Sequence, residues 1–178
     1  MSEMRESKPP STSKCVMTEF VMPNDTNGLG NLFGGKLLQW MDIAAAISAQ
    51  RHSGQVSVTA AVDSVEFHSA IKRSEVVILE AQVNRAFRTS MEVEINVWAE
   101  NPRTQVRRKC NRAFFTFVAI NTDGRPVPIP GITPESEEEK ERFTNAAKRR
   151  EMRLYLAGRI KLEDANHLRD DLLAMAKS

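Results

Sequence analysis

The feature that most constrains the fold is an uninterrupted helical pattern over residues 36–52, KLLQWMDIAAAISAQRH. Apolar and small residues recur there at three- and four-residue spacing, and neither Pro nor Gly intervenes before Gly54. Nearly every face of this helix is apolar or small, so we expect other elements to bury it on most sides. A strongly curved sheet can provide that much cover for a single helix.

Five segments with strand patterns accompany this helix. One precedes it and four follow it: 15–22, 55–67, 76–87, 89–100 and 106–121. The segment 89–100 alternates apolar and polar residues, and the run AFFTFVAI in the last segment suits burial on both faces. The short link between the last two segments fits an antiparallel turn. This order of elements predicts an α+β hotdog fold, an antiparallel five-stranded sheet wrapped around a long central helix.

The remaining segments set the expected domain limits. Residues 1–13 are polar and rich in Ser and Pro, which predicts a disordered tail. The hotdog domain is expected over residues 14–132, and a C-terminal helical extension over residues 133–178. In that extension a charged helix is predicted from about Pro134 to Leu156 with Thr133 as its N-cap, followed by a last helix after Gly158.

Composition excludes several classes of function. The formal net charge is +2, from 25 basic and 23 acidic residues, so no global field points to nucleic acid or a membrane. The cysteines Cys15 and Cys110 are far apart, and no Cys or His spacing suggests a metal site. The N-terminus lacks the apolar segment of a signal peptide, and no apolar run approaches the ~20 residues that span a bilayer. We therefore expect a cytoplasmic protein.

Asp42 is the residue of the central helix that is a candidate for a catalytic role. It lies among apolar and small residues, where an ionised carboxylate is costly unless it is paired or hydrogen-bonded. The pattern allows a structural Asp that bonds a nearby hydroxyl or backbone group, and equally a general base in a partly desolvated cleft. Gly34 and Gly35, at the helix start, offer free N–H groups to a developing oxyanion, although a tight turn alone also explains them.

The segment 22–42, MPNDTNGLGNLFGGKLLQWMD, resembles the signature segment of bacterial and mammalian acyl-CoA thioesterases of the hotdog superfamily. VTAAVDSVEF, RTSMEVEINVWAEN, FTFVAI and PVPIP are similar to the same family, in the same order, over roughly residues 15–155. The resemblance implies hydrolysis of acyl-CoA to free acid and CoA, without a metal or other cofactor. It also implies self-association as a dimer or a trimer of dimers, with active sites at the dimer interface.

The same resemblance implies roles for individual residues. Asn31, in GNLFGG, matches the catalytic Asn of the family, and Asp42, in WMD, matches its catalytic Asp. Each site would take the two residues from opposite subunits, with the Gly35 amide polarising the thioester carbonyl and Asp42 acting as general base or nucleophile. Predicted CoA and acyl contacts are Arg88, Thr89, Ser90 and Thr59. The alternative for residues 88–90 is a solvated turn, and the alternative for Thr59 is a strand residue that bonds locally.

Two other functions fit the same fold. A hydroxyacyl-CoA dehydratase needs a His beside its acid on the helix, and this helix offers only His52 at its end. A non-catalytic acyl-CoA sensor needs no general base, and no basic recognition helix precedes the fold. The basic cluster 148–150 is most simply a solvated helix face, with contact to phosphates of CoA or of a regulatory nucleotide as the alternative.

Overall fold

The structure is a computed structural model that describes residues 6–63, 65 and 67–169. The strands are β1 Cys15–Phe20, β2 Val56–Val62, β3 Val76–Ala86, β4 Ser90–Glu100 and β5 Arg107–Ile120. The long helices are α1 Gly34–Ser53 and α2 Glu137–Leu156, and three short 3-10 helices cover Pro10–Ser13, Pro23–Asp25 and Leu162–Asp164. The strands form one antiparallel sheet in the order β1-β3-β4-β5-β2. This confirms the predicted α+β hotdog fold.

One face of the sheet is apolar because apolar residues recur at every second position of the long strands and lie opposite one another in neighbouring strands. Val93 of β4 lies opposite Val83 of β3 and Phe115 of β5, and all three side chains are buried. Helix α1 lies against all five strands and contributes fully buried residues such as Met41 and Ala45. Burying each large side chain of this kind stabilises the fold by about 1.5–3 kcal/mol relative to exposure. The sheet and α1 therefore form the core that positions the elements described below.

One side of α1 remains exposed in the single chain. Ile43 and Ile47 retain 43% and 37% of their accessible surface, and Gln39 on the same side is also exposed. The prediction of burial on most sides is wrong for an isolated chain, because one sheet covers only the side of a helix that faces it. The edge strand next to this stripe exposes apolar residues as well: Val56, Val58 and Val62.

Strand β2 ends earlier than the predicted segment 55–67. A register shift between Thr59 and Ala61 interrupts its pairing with β5, and the last paired residue is Val62. The chain then leaves the sheet, so Phe67 belongs to an irregular segment before β3. The other elements of the sheet and α1 begin and end within two residues of the prediction.

The predicted N-terminal tail differs from the structure, because residues 6–13 are held by hydrogen bonds. The backbone N–H of Val83 donates to Oγ of the buried Ser13 at 2.9 Å. Nζ of Lys8 donates to a carbonyl oxygen near the end of α1 at 2.9 Å. Composition indicates that the segment lacks apolar residues to bury, but it does not reveal a buried hydroxyl that anchors the backbone. The first five residues lie outside the described part of the chain.

The chain divides into two compact units, Met1–Thr133 and Pro134–Ser178. The division lies one residue from the predicted limit between residues 132 and 133. Residues 166–169 of the second unit are helical, and most of the last predicted helix lies outside the described residues. Among the helices that the structure describes, none is both long and apolar enough to cross a membrane.

Helix α2 begins later than predicted. Its N-cap is Ser136 rather than Thr133, and its first helical residue is Glu137. The N–H of Glu139 donates to Oγ of Ser136 at 3.2 Å, while the N–H of Ser136 donates to Oε2 of Glu139 at 3.1 Å. This capping box satisfies two backbone donors at once, whereas a Thr followed by Pro offers one acceptor.

Candidate functional site

The loop before α1 is a closed turn that holds two asparagines near each other. The backbone N–H of Asn27 donates to the carbonyl oxygen of Asn31 at 2.8 Å. Oδ1 of Asn27 accepts from the N–H groups of Leu29 and Asn31 at 2.9 and 3.2 Å. Gly30 adopts a φ of +72°, a left-handed conformation that costs Gly little. Asn27 is therefore fixed by its own loop, as asparagines in turns commonly are.

Helix α1 begins beside this turn with uncapped backbone donors. Its N-cap residue Phe33 makes no side-chain capping bond, and the N–H of Leu37 donates to the carbonyl oxygen of Phe33 at 3.0 Å. The N–H groups of Gly34, Gly35 and Lys36 precede that bond, so they have no intrahelical acceptor. They lie at the positive end of the helix dipole, which favours an anion or a developing oxyanion.

A cavity of about 340 Å³ opens at this helix start. It brings together Asn31 and Gly34, two of the residues predicted from the sequence. Its other lining residues come from the turn, from α1 and from the segment before β3: Asn27, Leu32, Leu37, Phe67, Ser69, Ala70 and Ile71. Asn27 is a lining residue that the sequence analysis did not single out. The signal for it was the dense run of turn formers PNDTNGLGN, in which an Asn side chain often closes the turn.

Arg108 of β5 fixes one wall of this cavity. Its Nη1 and Nη2 donate to the two carboxylate oxygens of Glu75 at 2.7 and 2.8 Å. Nη2 also donates to the carbonyl oxygen of Ala70 at 2.8 Å, and Nε donates to Oγ of Ser69 at 3.3 Å. The hydrogen bond from Arg108 lowers the pKa of Glu75, so this carboxylate stays ionised at neutral pH. Two-pronged pairing of this kind is both strong and specific in orientation.

Asp42 lies on α1 with its carboxylate bonded to strand β2. Oγ1 of Thr59 donates to Oδ1 of Asp42 at 2.6 Å, and the Asp42 side chain is half-buried. In the described part of the chain, Thr59 is the one hydrogen-bond donor to this carboxylate. Two residues predicted separately from the sequence are therefore in direct contact. The second carboxylate oxygen remains available to water or substrate.

Asp42 does not line the cavity that holds Asn31. It follows Gly34 by eight residues of α1, which corresponds to roughly 12 Å along a helix axis. A single chain therefore provides the two predicted catalytic residues at two separate places.

The turn between β3 and β4 is anchored through its backbone. The N–H of Ala119 donates to the carbonyl oxygen of Thr89 at 3.0 Å, and the N–H of Ile129 donates to that of Arg88 at 3.1 Å. Ser90 is the first residue of β4. The Arg88 side chain is exposed and has no partner among the described residues. An exposed guanidinium on a fixed turn can bind a phosphate.

The structure separates His52 from Asp42. His52 is fully buried at the end of α1, ten residues after Asp42, or roughly 15 Å along the axis. Its Nε2 lies 2.9 Å from the carbonyl oxygen of Pro130, and burial lowers the pKa of His52. Within residues 6–63, 65 and 67–169, no group of three or more His, Cys, Asp or Glu residues is placed to hold a metal ion.

The hotdog sheet and its helix agree with comparisons to known proteins. Residues 29–106 match the model of the thioesterase superfamily. An uncharacterized acyl-CoA thioester hydrolase of Bacillus subtilis is 45% identical over 127 residues, which cover 71% of this chain and 74% of that protein. The chain therefore belongs to the thioesterase superfamily. Within that superfamily it belongs with the hotdog acyl-CoA thioesterases.

Solved structures support the same placement. A hexameric acyl-CoA thioesterase has a TM-score of 0.82 and 39% identity, covering 85% of this chain and 97% of that chain. An acyl-CoA hydrolase of Staphylococcus aureus, solved with butyryl-CoA and CoA, has a TM-score of 0.78 and 34% identity, covering 85% and 94%. Against a mouse acyl-coenzyme A thioesterase, 41% identical over 145 residues, this chain spans 24% of the length and so matches only a part of it.

Three further S. aureus structures each carry an alanine in place of one asparagine, aspartate or threonine. That asparagine precedes the aspartate by 15 positions, and the threonine follows the aspartate by 17. In this chain Asn27 precedes Asp42 by 15 positions and Thr59 follows it by 17, whereas Asn31 precedes it by 11. The spacing makes Asn27 a second candidate for the role predicted for Asn31.

Proposed function

We propose that this chain hydrolyses the thioester bond of acyl-CoA, giving a free acid and CoA, with Asp42 as the central catalytic residue. The observation that supports this most directly is the Asp42 carboxylate, held by Thr59 through one oxygen and available through the other. The uncapped N–H groups at Gly34 and Gly35 supply the second requirement, donors for a carbonyl oxygen. The names of the relatives and of the solved neighbours support the same reaction.

The chemistry follows from these groups. The N–H of Gly35, with that of Gly34 beside it, donates to the carbonyl oxygen as negative charge develops there. Asp42 takes a proton from a water molecule, and the water oxygen attacks the carbonyl carbon. The tetrahedral intermediate then expels the CoA thiolate, which takes up the proton held by Asp42 and so regenerates the base. In the alternative route Asp42 attacks the carbonyl directly, and water hydrolyses the resulting anhydride.

Each complete site is proposed to form between two copies of the chain. Asp42 and the cavity with Asn31 are separate in one chain, whereas a partner chain can bring them together. The exposed stripe around Ile43 and Ile47 lies on the helix that carries Asp42, and edge strand β2 carries Thr59. Covering exposed apolar residues and an open strand edge favours self-association. A dimer or a trimer of dimers is proposed, and the hexameric structural neighbour supports the larger assembly.

The CoA end of the substrate is proposed to lie along the turn between β3 and β4. Arg88 would bind a phosphate, and Thr89 and Ser90 would contact the pantetheine amides. A regulatory nucleotide at the basic cluster 148–150 stays a prediction. These basic residues interact within the described chain.

We also propose that hydrolysis needs no metal ion and that the protein acts in the cytoplasm. A rat relative is named a cytosolic acyl coenzyme A thioester hydrolase, which supports this location. Neither alternative function gains support from the geometry. The dehydratase would need a His near Asp42, and His52 is buried elsewhere. A non-catalytic sensor would not need a carboxylate that is oriented by Thr59.

The first test is release of free thiol from a panel of acyl-CoAs, followed with a thiol reagent in the presence of a chelator. We expect hydrolysis without added metal, because the proposed donors and base all belong to the chain. Binding of acyl-CoA without thiol release across short and long chains would contradict hydrolysis and favour the sensor.

A second test separates the two asparagines. Asn27→Asp keeps an oxygen for the loop N–H groups of Leu29 and Asn31 but removes the side-chain N–H donor. We expect about a 100-fold loss of kcat. Asn27 precedes Asp42 by the same number of positions as the substituted asparagine precedes the substituted aspartate in the S. aureus hydrolase, and its own loop fixes it in place. Asn31→Asp is the matched control. A large loss at Asn31 with near-normal activity at Asn27 would return the role to Asn31, provided both variants melt like wild type.

A further inference from the structure

One aromatic residue lies next to the proposed oxyanion site. A β-carbon built on Gly34 would lie 3.4, 3.7 and 3.8 Å from Cζ, Cε1 and Cε2 of Phe67. These three atoms form the distal edge of the ring. Because Phe67 and Gly34 both line the cavity, the ring spans the gap between the segment before β3 and the start of α1.

Several residues that line the cavity together with this ring are apolar and buried. Leu32, Leu37 and Ile71 are 9%, 3% and 3% exposed, whereas Phe67 keeps 53% of its surface. The polar lining residues Asn27 and Asn31 lie together on the turn, and Ser69 is a further polar lining residue. The cavity is thus lined by both polar and hydrocarbon side chains, and the half-exposed Phe67 belongs to the hydrocarbon lining.

We propose that this cavity binds the acyl chain and that Phe67 sets the length of chain accepted. This inference rests on the proposed function, because it takes Gly34 and Gly35 as donors to the thioester carbonyl. The carbonyl carbon connects to two groups, the hydrocarbon of the acyl chain and the sulfur of the pantetheine arm. The apolar lining residues Leu37, Phe67 and Ile71 suit the hydrocarbon of the acyl chain. Pantetheine amides placed there would lose their hydrogen bonds to water without gaining partners from Leu or Ile.

The position of the ring explains why it limits chain length. The ring edge lies at van der Waals distance from a β-carbon built on Gly34, so carbon atoms that extend past the carbonyl in this direction would meet the ring. Truncation of Phe67 at Cβ removes that barrier, and Trp enlarges it. Discrimination by a single methylene in an apolar pocket is worth roughly 10- to 200-fold in kcat/KM.

The test compares kcat/KM for dodecanoyl-CoA and butyryl-CoA. In Phe67→Ala we expect the ratio of long-chain to short-chain kcat/KM to rise about tenfold or more, and in Phe67→Trp we expect it to fall. Phe20→Ala is the matched control, because Phe20 is 48% exposed and does not line this cavity. Its ratio should equal that of wild type. Phe67→Leu provides a milder variant if the alanine protein is unstable.

Two outcomes overturn the inference. The first is an unchanged ratio in active Phe67 variants, including an equal loss for both substrates, and the second is the same shift in Phe20→Ala. Failure of the proposed function looks different, because wild type would then release thiol from neither substrate. In that case the Phe67 variants are compared by binding of the two acyl-CoAs, and an unchanged affinity ratio also overturns the inference.

Discussion

Replacement of Asp42 by alanine is expected to lower kcat by about 100-fold or more, the range for loss of a general base. The effect should be this large because the carboxylate is the proton acceptor in one route and the nucleophile in the other. In the described part of the chain, the residue that is hydrogen-bonded to this carboxylate is Thr59, which cannot replace it as a base at neutral pH. The measurement is thiol release at saturating acyl-CoA, with folding checked by thermal melting.

Two further variants separate catalysis from structure at this position. Asp42→Asn keeps the size of the side chain and an oxygen for the Thr59 hydroxyl, but it cannot take up a proton under these conditions. It should therefore be as inactive as Asp42→Ala while melting like wild type. Thr59→Val removes the hydroxyl that orients the carboxylate, so we expect a smaller loss. Near-normal activity of a folded Asp42→Asn would show that Asp42 has only a structural role.

The sheet and its helix were predictable because each strand carries its own signal. In β4 the apolar residues alternate with Glu92, Glu94 and Asn96, which defines two faces before any partner strand is known. The same alternation suggests that the polar face meets solvent. Glu92 and Glu94 are nevertheless buried, where Nδ2 of Asn84 donates to both at 3.3 and 3.0 Å. Such a network depends on the neighbouring strand and has no periodic signal.

The candidate site was predictable only where a residue carries a signal in its own local sequence, as the strands do. Asp42 stands out because its local surroundings on one helix are apolar. Its bond to Thr59 joins residues 17 positions apart, and the clamp of Arg108 on Glu75 joins residues 33 apart. Both arise only when helix, sheet and loop come together. The sequence predicts Phe67 as a strand residue. In the structure it lines the cavity instead, because β2 ends at Val62.

A mixture of two inactive variants is expected to regain activity if each site is shared between subunits. Asp42→Ala homodimers lack the aspartate in both sites. Asn27→Ala and Asn31→Ala are each paired with it, and the test applies to whichever of these two homodimers is inactive. When two such chains are co-expressed, one site of a mixed dimer receives both defects. The other receives the intact asparagine from one chain and the intact Asp42 from its partner, so it is whole.

The size of the recovery follows from counting. Random pairing makes about half of the dimers mixed, and one of the two sites in each mixed dimer is complete. About a quarter of wild-type activity should therefore return if the sites act independently. The roughly 12 Å along α1 between Gly34 and Asp42 is the structural reason to expect this result. If both residues acted within one chain, every site would contain a defect. Activity that stays at the level of the single variants, with mixed dimers confirmed by differential tags, would reject the shared site.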